Sequence, residues 1–368
     1  MCVVGARPNF MKMAPILAAF RSHDPPLPAI LVHTGQHYDA DMNDRIFQDL
    51  GLPSPDVNLG VGSGSHTVQT AEVMRRFEPL LDQHRPACVL VVGDVNSTLA
   101  CSLVAVKKGV RVVHVEAGLR SFDRAMPEEI NRLLTDQIAD RLYTTERRAH
   151  DNLAREGIAA ERMCFVGNVM IDSLLTHRGK APDAKATLAA NGVDPGLLGD
   201  GAYGVVTLHR PANVDRADTL AGLFDTLSQA ARRLPLVFAM HPRTRGNAER
   251  FGLLSRLAEG RVILLPPQGY LQMLGLVAGA ALVLTDSGGL QEETTALGIP
   301  CITLRENTER PITVEAGTNT LVGRNQSLAL SCVDDVLAGG GRRGRVPEYW
   351  DGRAAVRIAA DLATWLRA

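Results

Sequence analysis

The sequence predicts an α/β chain of two Rossmann-like, doubly wound domains facing across a cleft. Three observations carry this. Short apolar runs rich in Val, Ile and Leu alternate with stretches of helical periodicity from end to end. Strands alternating with helices imply parallel sheets covered on both faces. A length of 368 residues exceeds one ordinary core and suits two domains.

In order, the N-terminal half offers strands at Cys2–Val4, Ala29–Val32, Cys88–Val92, Val110–Val115, Leu142–Thr144 and Cys164–Val166. The C-terminal half offers Gly204–Thr207, Leu236–Met240, Val262–Leu265, Leu282–Leu284, Cys301–Leu304 and Thr320–Val322. Helical periodicity marks Met11–Ser22, Thr67–Leu81, Leu220–Arg232 and Leu271–Ala278. Gly179, Pro182, Gly192, Pro195 and Gly199 cluster between the halves and place the boundary between Thr176 and Asp200. The expected domains are therefore 1–175 and 176–350, with an amphipathic helix within 351–368 packing back on the first. Two facing Rossmann-like domains closed by a terminal helix is the architecture of B-type glycosyltransferases.

Composition removes several functions. The net charge is −1 and aromatics make up 4%, which speaks against a nucleic-acid partner. Cys2, Cys88, Cys101, Cys164, Cys301 and Cys332 show no C-x-x-C spacing and read as buried thiols of a reducing compartment. No signal peptide opens the chain, and the apolar stretch Met273–Leu284 is too short for a bilayer. A cytoplasmic protein without a membrane partner is expected. Without G-x-G-x-x-G after the first strand, a Walker motif, H-E-x-x-H or a dense Asp cluster, neither a cofactor nor a metal is suggested.

Ligands of open α/β sheets bind beyond the carboxyl ends of the strands. There the sequence places Arg7-Pro8-Asn9 to Lys12, Gly35-Gln36-His37-Tyr38, Gly93-Asp94, Glu116-Ala117-Gly118, His209-Arg210-Pro211, His241-Pro242-Arg243 and Asp286-Ser287-Gly288-Gly289. Seven polar strand ends drawn from both halves point to one interdomain cleft. Asp286-Ser287-Gly288-Gly289 follows a strand and opens a helix, so exposed N–H groups and the helix dipole favour an anion. An ordinary N-cap by Asp286 or Ser287 explains the same residues. Glu293 lies nearly two turns in, where it could accept from ribose hydroxyls, and Arg7, His209 and Arg210 offer charge for a diphosphate. His114 and Glu116, two apart in an extended run, should share a sheet face, with His114 orienting Glu116 or filling the core. Arg132 is offered as a salt-bridge partner of Glu128, or as a surface residue. The loop Gly60–His66 either closes over a substrate or is a flexible connector.

Gly5-Ala6-Arg7-Pro8-Asn9-Phe10-Met11-Lys12-Met13-Ala14-Pro15, His114-Val115-Glu116-Ala117-Gly118-Leu119-Arg120, Pro127-Glu128-Glu129-Ile130-Asn131-Arg132, Gly167-Asn168, Thr285 to Glu293 and Thr308-Glu309-Arg310-Pro311 occur in that order. Together they resemble the UDP-N-acetylglucosamine 2-epimerases of the non-hydrolysing type. The resemblance implies UDP-sugar contacts at Arg7, Lys12, His209, His241, Ser287, Gly288, Gly289, Glu293 and Arg310. It implies a chemistry site at Lys12, Asp94, Glu116, Glu128 and His209, no cofactor, and a homodimer. Many bacterial members carry a regulatory glutamine where this chain has Asp39, so activation by substrate is not carried over. His209-Arg210-Pro211-Ala212 also departs from the commoner His-Arg-Arg-Glu.

C2 of such a sugar is not beside a carbonyl. Breaking the C1–O bond to UDP first makes the C2 hydrogen acidic enough for a carboxylate. The family is thought to pass through a 2-acetamidoglucal and add UDP back. Asp94 and Glu128 are the expected proton-transfer pair and Glu116 the electrostatic and orienting group. A hydrolysing epimerase, a glycosyltransferase of the same fold and a nucleotide-sugar sensor remain the competing readings. The three carboxylates favour elimination over the last two.

Overall fold

The computed structural model describes residues 1–35, 47–199, 201–258 and 261–367. Gln36, His37, Tyr38 and Asp39 lie outside the described residues. The chain divides into two compact units, a first of Met1–Thr176 with Glu348–Ala368 and a second of His177–Pro347.

The first unit holds β1 (Cys2–Val4), β2 (Leu31–His33), β3 (Val57–Asn58), β4 (Cys88–Val92), β5 (Arg111–Ala117), β6 (Arg141–Thr144) and β7 (Met163–Phe165). They form one parallel sheet in the order β3-β2-β1-β4-β5-β6-β7. The second unit holds β8 (Gly204–Thr207), β9 (Leu236–Ala239), β10 (Val262–Leu265), β11 (Leu282–Thr285), β12 (Cys301–Thr303) and β13 (Asn319–Leu321). Its parallel order is β10-β9-β8-β11-β12-β13. Both sheets reverse direction of growth between their first and fourth strands, which opens a crevice at the strand ends.

The sequence reading lacked β3, whose two residues are too few to make an apolar run. It also began the first helix at Met11, whereas the helix runs Arg7–Ser22. Pro8 in its first turn needs no N–H partner there and starts the helix early.

Alternation along the strands divides each core between two faces. In the second unit Val206, Phe238 and Leu284 pack with Phe224 and Leu227. Their neighbours Val205, Val237 and Val283 point the other way, onto Leu276 and Val277. Each such buried side chain contributes about 1.5–3 kcal/mol. In the first unit Val3, Val32, Val89 and Val91 pack with Phe77 and Val104.

The C-terminal helix Ala354–Trp365 lies on the helix Arg7–Ser22 of the first unit. Arg353, at its N-cap, makes no side-chain capping bond. Asp172, on another helix, accepts from the N–H groups of Ala354 (3.1 Å) and Ala355 (2.7 Å) instead. Trp350 donates its indole N–H to the Thr145 carbonyl at 3.1 Å, which fixes the returning chain. Among the described residues no helix is long and apolar enough to cross a membrane.

Candidate active site

In the first unit the ends of β1, β4 and β5 converge. Asn9 accepts from the N–H groups of Gly5 and Ala6, both at 3.1 Å, and donates to the Val92 carbonyl at 3.0 Å. That one side chain ties the β1 turn to the end of β4. One turn on, buried Lys12 places its Nζ 2.6 Å from Glu116 Oε1. Gly93 runs beside this pair with φ of +65°. A Cβ there would sit 2.9 Å from Lys12 Nζ and 3.7 Å from Glu116 Oε1, so the position requires glycine in both conformation and space.

Glu116 itself has φ of +72°. The β5–β6 register shifts between Val115 and Ala117, so Glu116 is the extra residue of a bulge. This corrects the expectation that His114 and Glu116 share a sheet face. The bulge breaks the two-residue alternation and re-aims the carboxylate. A non-glycine residue in this region costs on the order of 1–3 kcal/mol and persists only where its surroundings fix it. Lys12 supplies part of that fixing.

Asp94 follows Gly93 and keeps 21% of its side chain exposed. Arg132 Nη1 donates to its carboxylate, and Asn131 donates to its carbonyl at 2.8 Å. Arg132 also pairs with Glu129 at 2.9 Å. The sequence offered Glu128 as the partner of Arg132, but the bonds run to Asp94 and Glu129. The reason is burial: Arg132 and Glu129 sit on the inward face of the helix Pro127–Ile138, while Glu128 is half-buried in its first turn. Glu129 further accepts from the N–H and Oγ of Ser121 and the N–H of Phe122, each at 2.9 Å. Burial raises the Glu129 pKa, but these donors and Arg132 hold it below the usual carboxylate range. Asn131 and Arg132 lie three and four residues after Glu128, one turn along the same side of the helix. The helix that carries Glu128 thus also holds Asp94. Arg7, half-buried, opens the first helix.

In the second unit His209 lies at the end of β8 and pairs through Nδ1 with Asp286 at 2.9 Å. Asp286 also accepts from the backbone N–H groups of His209 (3.1 Å) and Arg210 (2.9 Å) and from Asn213 (3.2 Å). Burial pushes the Asp286 carboxyl up, yet His209 and the backbone donors hold it below its ordinary value. Asp286 therefore shapes the His209–Arg210 turn and does not sit at the N-cap. Ser287 holds that place, with no side-chain capping bond, ahead of the helix Gly288–Leu297. A Cβ on Gly288 would lie 2.7 Å from Glu309 Oε1. Glu309 pairs with Arg305 (2.8 Å) and Arg210 (3.1 Å). Burial raises its pKa, and Arg305, Arg310 and Arg210 overcome this to keep it far below the usual range. Gly289 follows in the first turn, and Glu293 is buried further along the helix. Exposed His241 caps the helix Pro242–Arg250 by accepting from the Arg243 N–H at 3.2 Å. Its ring centre lies 5.9 Å from that of His209. Arg310, proposed from the resemblance as a UDP-sugar contact, is buried, with Nε 2.9 Å from Glu292 Oε1. It braces the helix through that pair.

The sequence reading drew Lys12, Asp94, Glu116, Glu128, His209, His241, Ser287, Gly288 and Glu293 to one cleft, and the first four lie in the first unit and the others in the second. It missed Asn9, Glu129, Asp136 and Glu309 as organisers. Glu129 and Glu309 stood inside quoted motifs, whereas Asp136 lay in an ordinary helical stretch with no signal of its own.

Carboxylates held by lysine and arginine at the strand ends of one parallel sheet, and a glycine helix start beside His209 and Arg210 at those of another, are the marks of an α/β enzyme. The chain belongs to the UDP-N-acetylglucosamine 2-epimerase family, whose sequence signature matches residues 21–363. The UDP-N-acetylglucosamine 2-epimerase of Methanocaldococcus jannaschii is 40% identical over 365 residues, covering 98% of this chain and 97% of its own. The UDP-2,3-diacetamido-2,3-dideoxy-D-glucuronate 2-epimerase of Pseudomonas aeruginosa is 39% identical over 364 residues, covering 98% of each. The crystal structure of Methanocaldococcus jannaschii UDP-GlcNAc 2-epimerase in complex with UDP-GlcNAc and UDP matches with a TM-score of 0.89 at 38% identity, covering 99% of both chains.

Proposed function

We propose that this enzyme inverts C2 of UDP-N-acetylglucosamine, giving UDP-N-acetylmannosamine by elimination and re-addition of UDP. UDP leaves C1 with the bonding electrons, and a carboxylate removes the C2 proton, forming the C1–C2 double bond of a 2-acetamidoglucal. A proton then returns to the opposite face of C2, and the UDP oxygen adds to C1. The reading is carried by one observation: Asp94, the Lys12–Glu116 pair and the helix start bearing Glu128 meet at neighbouring strand ends.

Asp94 and Glu128 are the proton-transfer pair, each contributing about 10²–10⁴-fold. Glu116, held by Lys12, stabilises positive charge at C1. The helix N-terminus at Ser287, Gly288 and Gly289 receives the diphosphate with His209, because the first-turn N–H groups of a helix and its dipole suit an anion that departs and returns. Glu293 accepts from the ribose hydroxyls, and His241 stands beside His209 at the same strand ends.

The Pseudomonas relative gives a second substrate reading, since it is 39% identical against 40% for the Methanocaldococcus enzyme and its sugar also bears an acetamido group at C2. The test is proton NMR of the purified protein with each UDP-sugar, without added cofactor. UDP-N-acetylmannosamine as product supports the first reading. Turnover of the diacetamido glucuronate alone moves the substrate, and free N-acetylmannosamine with UDP moves the enzyme to the hydrolysing type. UDP binding without turnover of either sugar overturns the proposal.

A further inference from the structure

His114 has no part in the chemistry proposed above, yet both its ring nitrogens are engaged. It is fully buried. Nδ1 lies 2.6 Å from Asp136 Oδ1, and Nε2 lies 2.8 Å from the Gly93 carbonyl oxygen. The carbonyl can only accept. Asp136 is also an acceptor, because its other oxygen meets Arg120 Nη2 at 2.7 Å and the Gly118 N–H at 3.0 Å. Burial pushes the Asp136 carboxyl up, but His114 and Arg120 hold it below its ordinary value. The Gly93 carbonyl can only accept, so Nε2 carries the N–H that donates to it, and Nδ1 faces the Asp136 carboxylate.

The peptide from Gly93 to Asp94 is one rigid plane, so a bond to the Gly93 carbonyl fixes the direction in which Asp94 departs. The same residue's N–H is tied to the Val115 carbonyl at 3.0 Å. Asp136 lies on the helix Pro127–Ile138, which also bears Glu128 and the two residues that hold Asp94.

We infer that His114 is a positioning residue for Asp94: the Arg120–Asp136–His114 chain clamps the Gly93 carbonyl and sets the Asp94 carboxylate against the helix bearing Glu128. The inference rests on the role of Asp94 given above. Small displacements of a catalytic group cost up to about 10²-fold in rate.

The experiment compares His114→Gln, His114→Asn and His114→Ala by kcat, KM, UDP affinity and melting temperature. The Gln amide nitrogen reaches the place of Nε2 and can donate to Gly93, whereas that of Asn reaches only the place of Nδ1. The expected result is a fall in kcat of about 10–100-fold for Asn and Ala, UDP affinity within about twofold, and substantial rescue by Gln. Equal losses in Gln and Asn, or unchanged kcat in a folded Asn variant, would overturn the inference. An Ala variant that fails to fold leaves the Gln–Asn comparison intact. A wild type that binds UDP and turns over nothing sinks the functional reading instead. Positioning is then read from the crystal structure of His114→Asn, where an unmoved Gly93–Asp94 peptide overturns it.

Discussion

The strand ends of the two units share a topology and both bury ion pairs, Arg305 with Glu309 and Arg310 with Glu292 in the second, but they differ in what stands beside those pairs. In the first unit, opposite charges are buried against each other: Lys12 with Glu116, Arg120 with Asp136, Arg132 with Glu129 and Asp94. In the second unit the corresponding switch point opens on a glycine helix start, with the Ser287 side chain making no capping bond and Glu309 tied to Arg210 and Arg305 nearby. Buried ion pairs contribute little net stability, because desolvation offsets their attraction. What they do supply is fixed geometry, which proton transfer needs. Backbone N–H groups at a helix start need no side chain to move when an anion leaves and returns. In the function proposed above, one layout hosts two jobs, chemistry in the first unit and UDP holding in the second.

The sharpest way to break that division is to change the chemistry residues alone. Asp94→Asn and Glu128→Gln should each lower kcat by about 10²–10⁴-fold, while calorimetry finds UDP affinity within about twofold. A large loss of UDP affinity in either variant would merge the two jobs.

The reverse substitution is Asp286→Ala, which removes the acceptor for His209, Arg210 and Asn213. Leaving such buried donors unmet costs about 1–3 kcal/mol. UDP should bind more weakly and the melting temperature should fall, both more than in Asp94→Asn. Unchanged UDP affinity would detach the His209 turn from nucleotide binding.

Gly93→Ala sharpens the first-unit side. The left-handed conformation costs about 1–2 kcal/mol for a non-glycine residue, and the new Cβ would crowd Lys12 Nζ at 2.9 Å. Denaturant unfolding should show that loss together with reduced kcat. A variant as stable and as active as wild type would show that the strand-end packing around Lys12 is slack.

The smallest effect concerns the C-terminal helix. Burial raises the Asp172 pKa to about 6, with the Ala355 and Ala354 N–H groups pulling the other way. Between the unfolded value of 3.8 and about 6 the folded chain holds a proton that the unfolded chain lacks. The stability from this group therefore rises as pH falls from 7 toward 4. Asp172→Asn cannot take up that proton, so the melting temperature of wild type relative to the variant should climb between pH 7 and pH 5. A constant difference would show that this carboxyl does not titrate with folding.

Most of the fold was legible because parallel strands covered on both faces are continuous apolar runs. Cys88–Val92, Gly204–Thr207 and Val262–Leu265 have the bounds read from sequence. Val57–Asn58 is too short to register against a polar background. The site residues were legible as motifs, but their partners were not. Glu128 and Glu129 are both within reach of Arg132 in a helix, and only burial selects Glu129. The bulge at Glu116 is invisible in an alternating Val-His-Val-Glu run, because it arises from pairing with β6. His114 and Asp136 are 22 residues apart and meet only when β5 packs under its helix.

The division of labour is tested most directly by deuterium entry at C2 of UDP-N-acetylglucosamine in D₂O, followed by NMR for wild type, Asp94→Asn and Glu128→Gln under UDP-sugar saturation. Wild type should place deuterium at C2 of the epimerised product, while both variants bind UDP normally and exchange at least about 10²-fold more slowly. Exchange at the wild-type rate in both variants would contradict the assignment of proton transfer to the first unit's carboxylates.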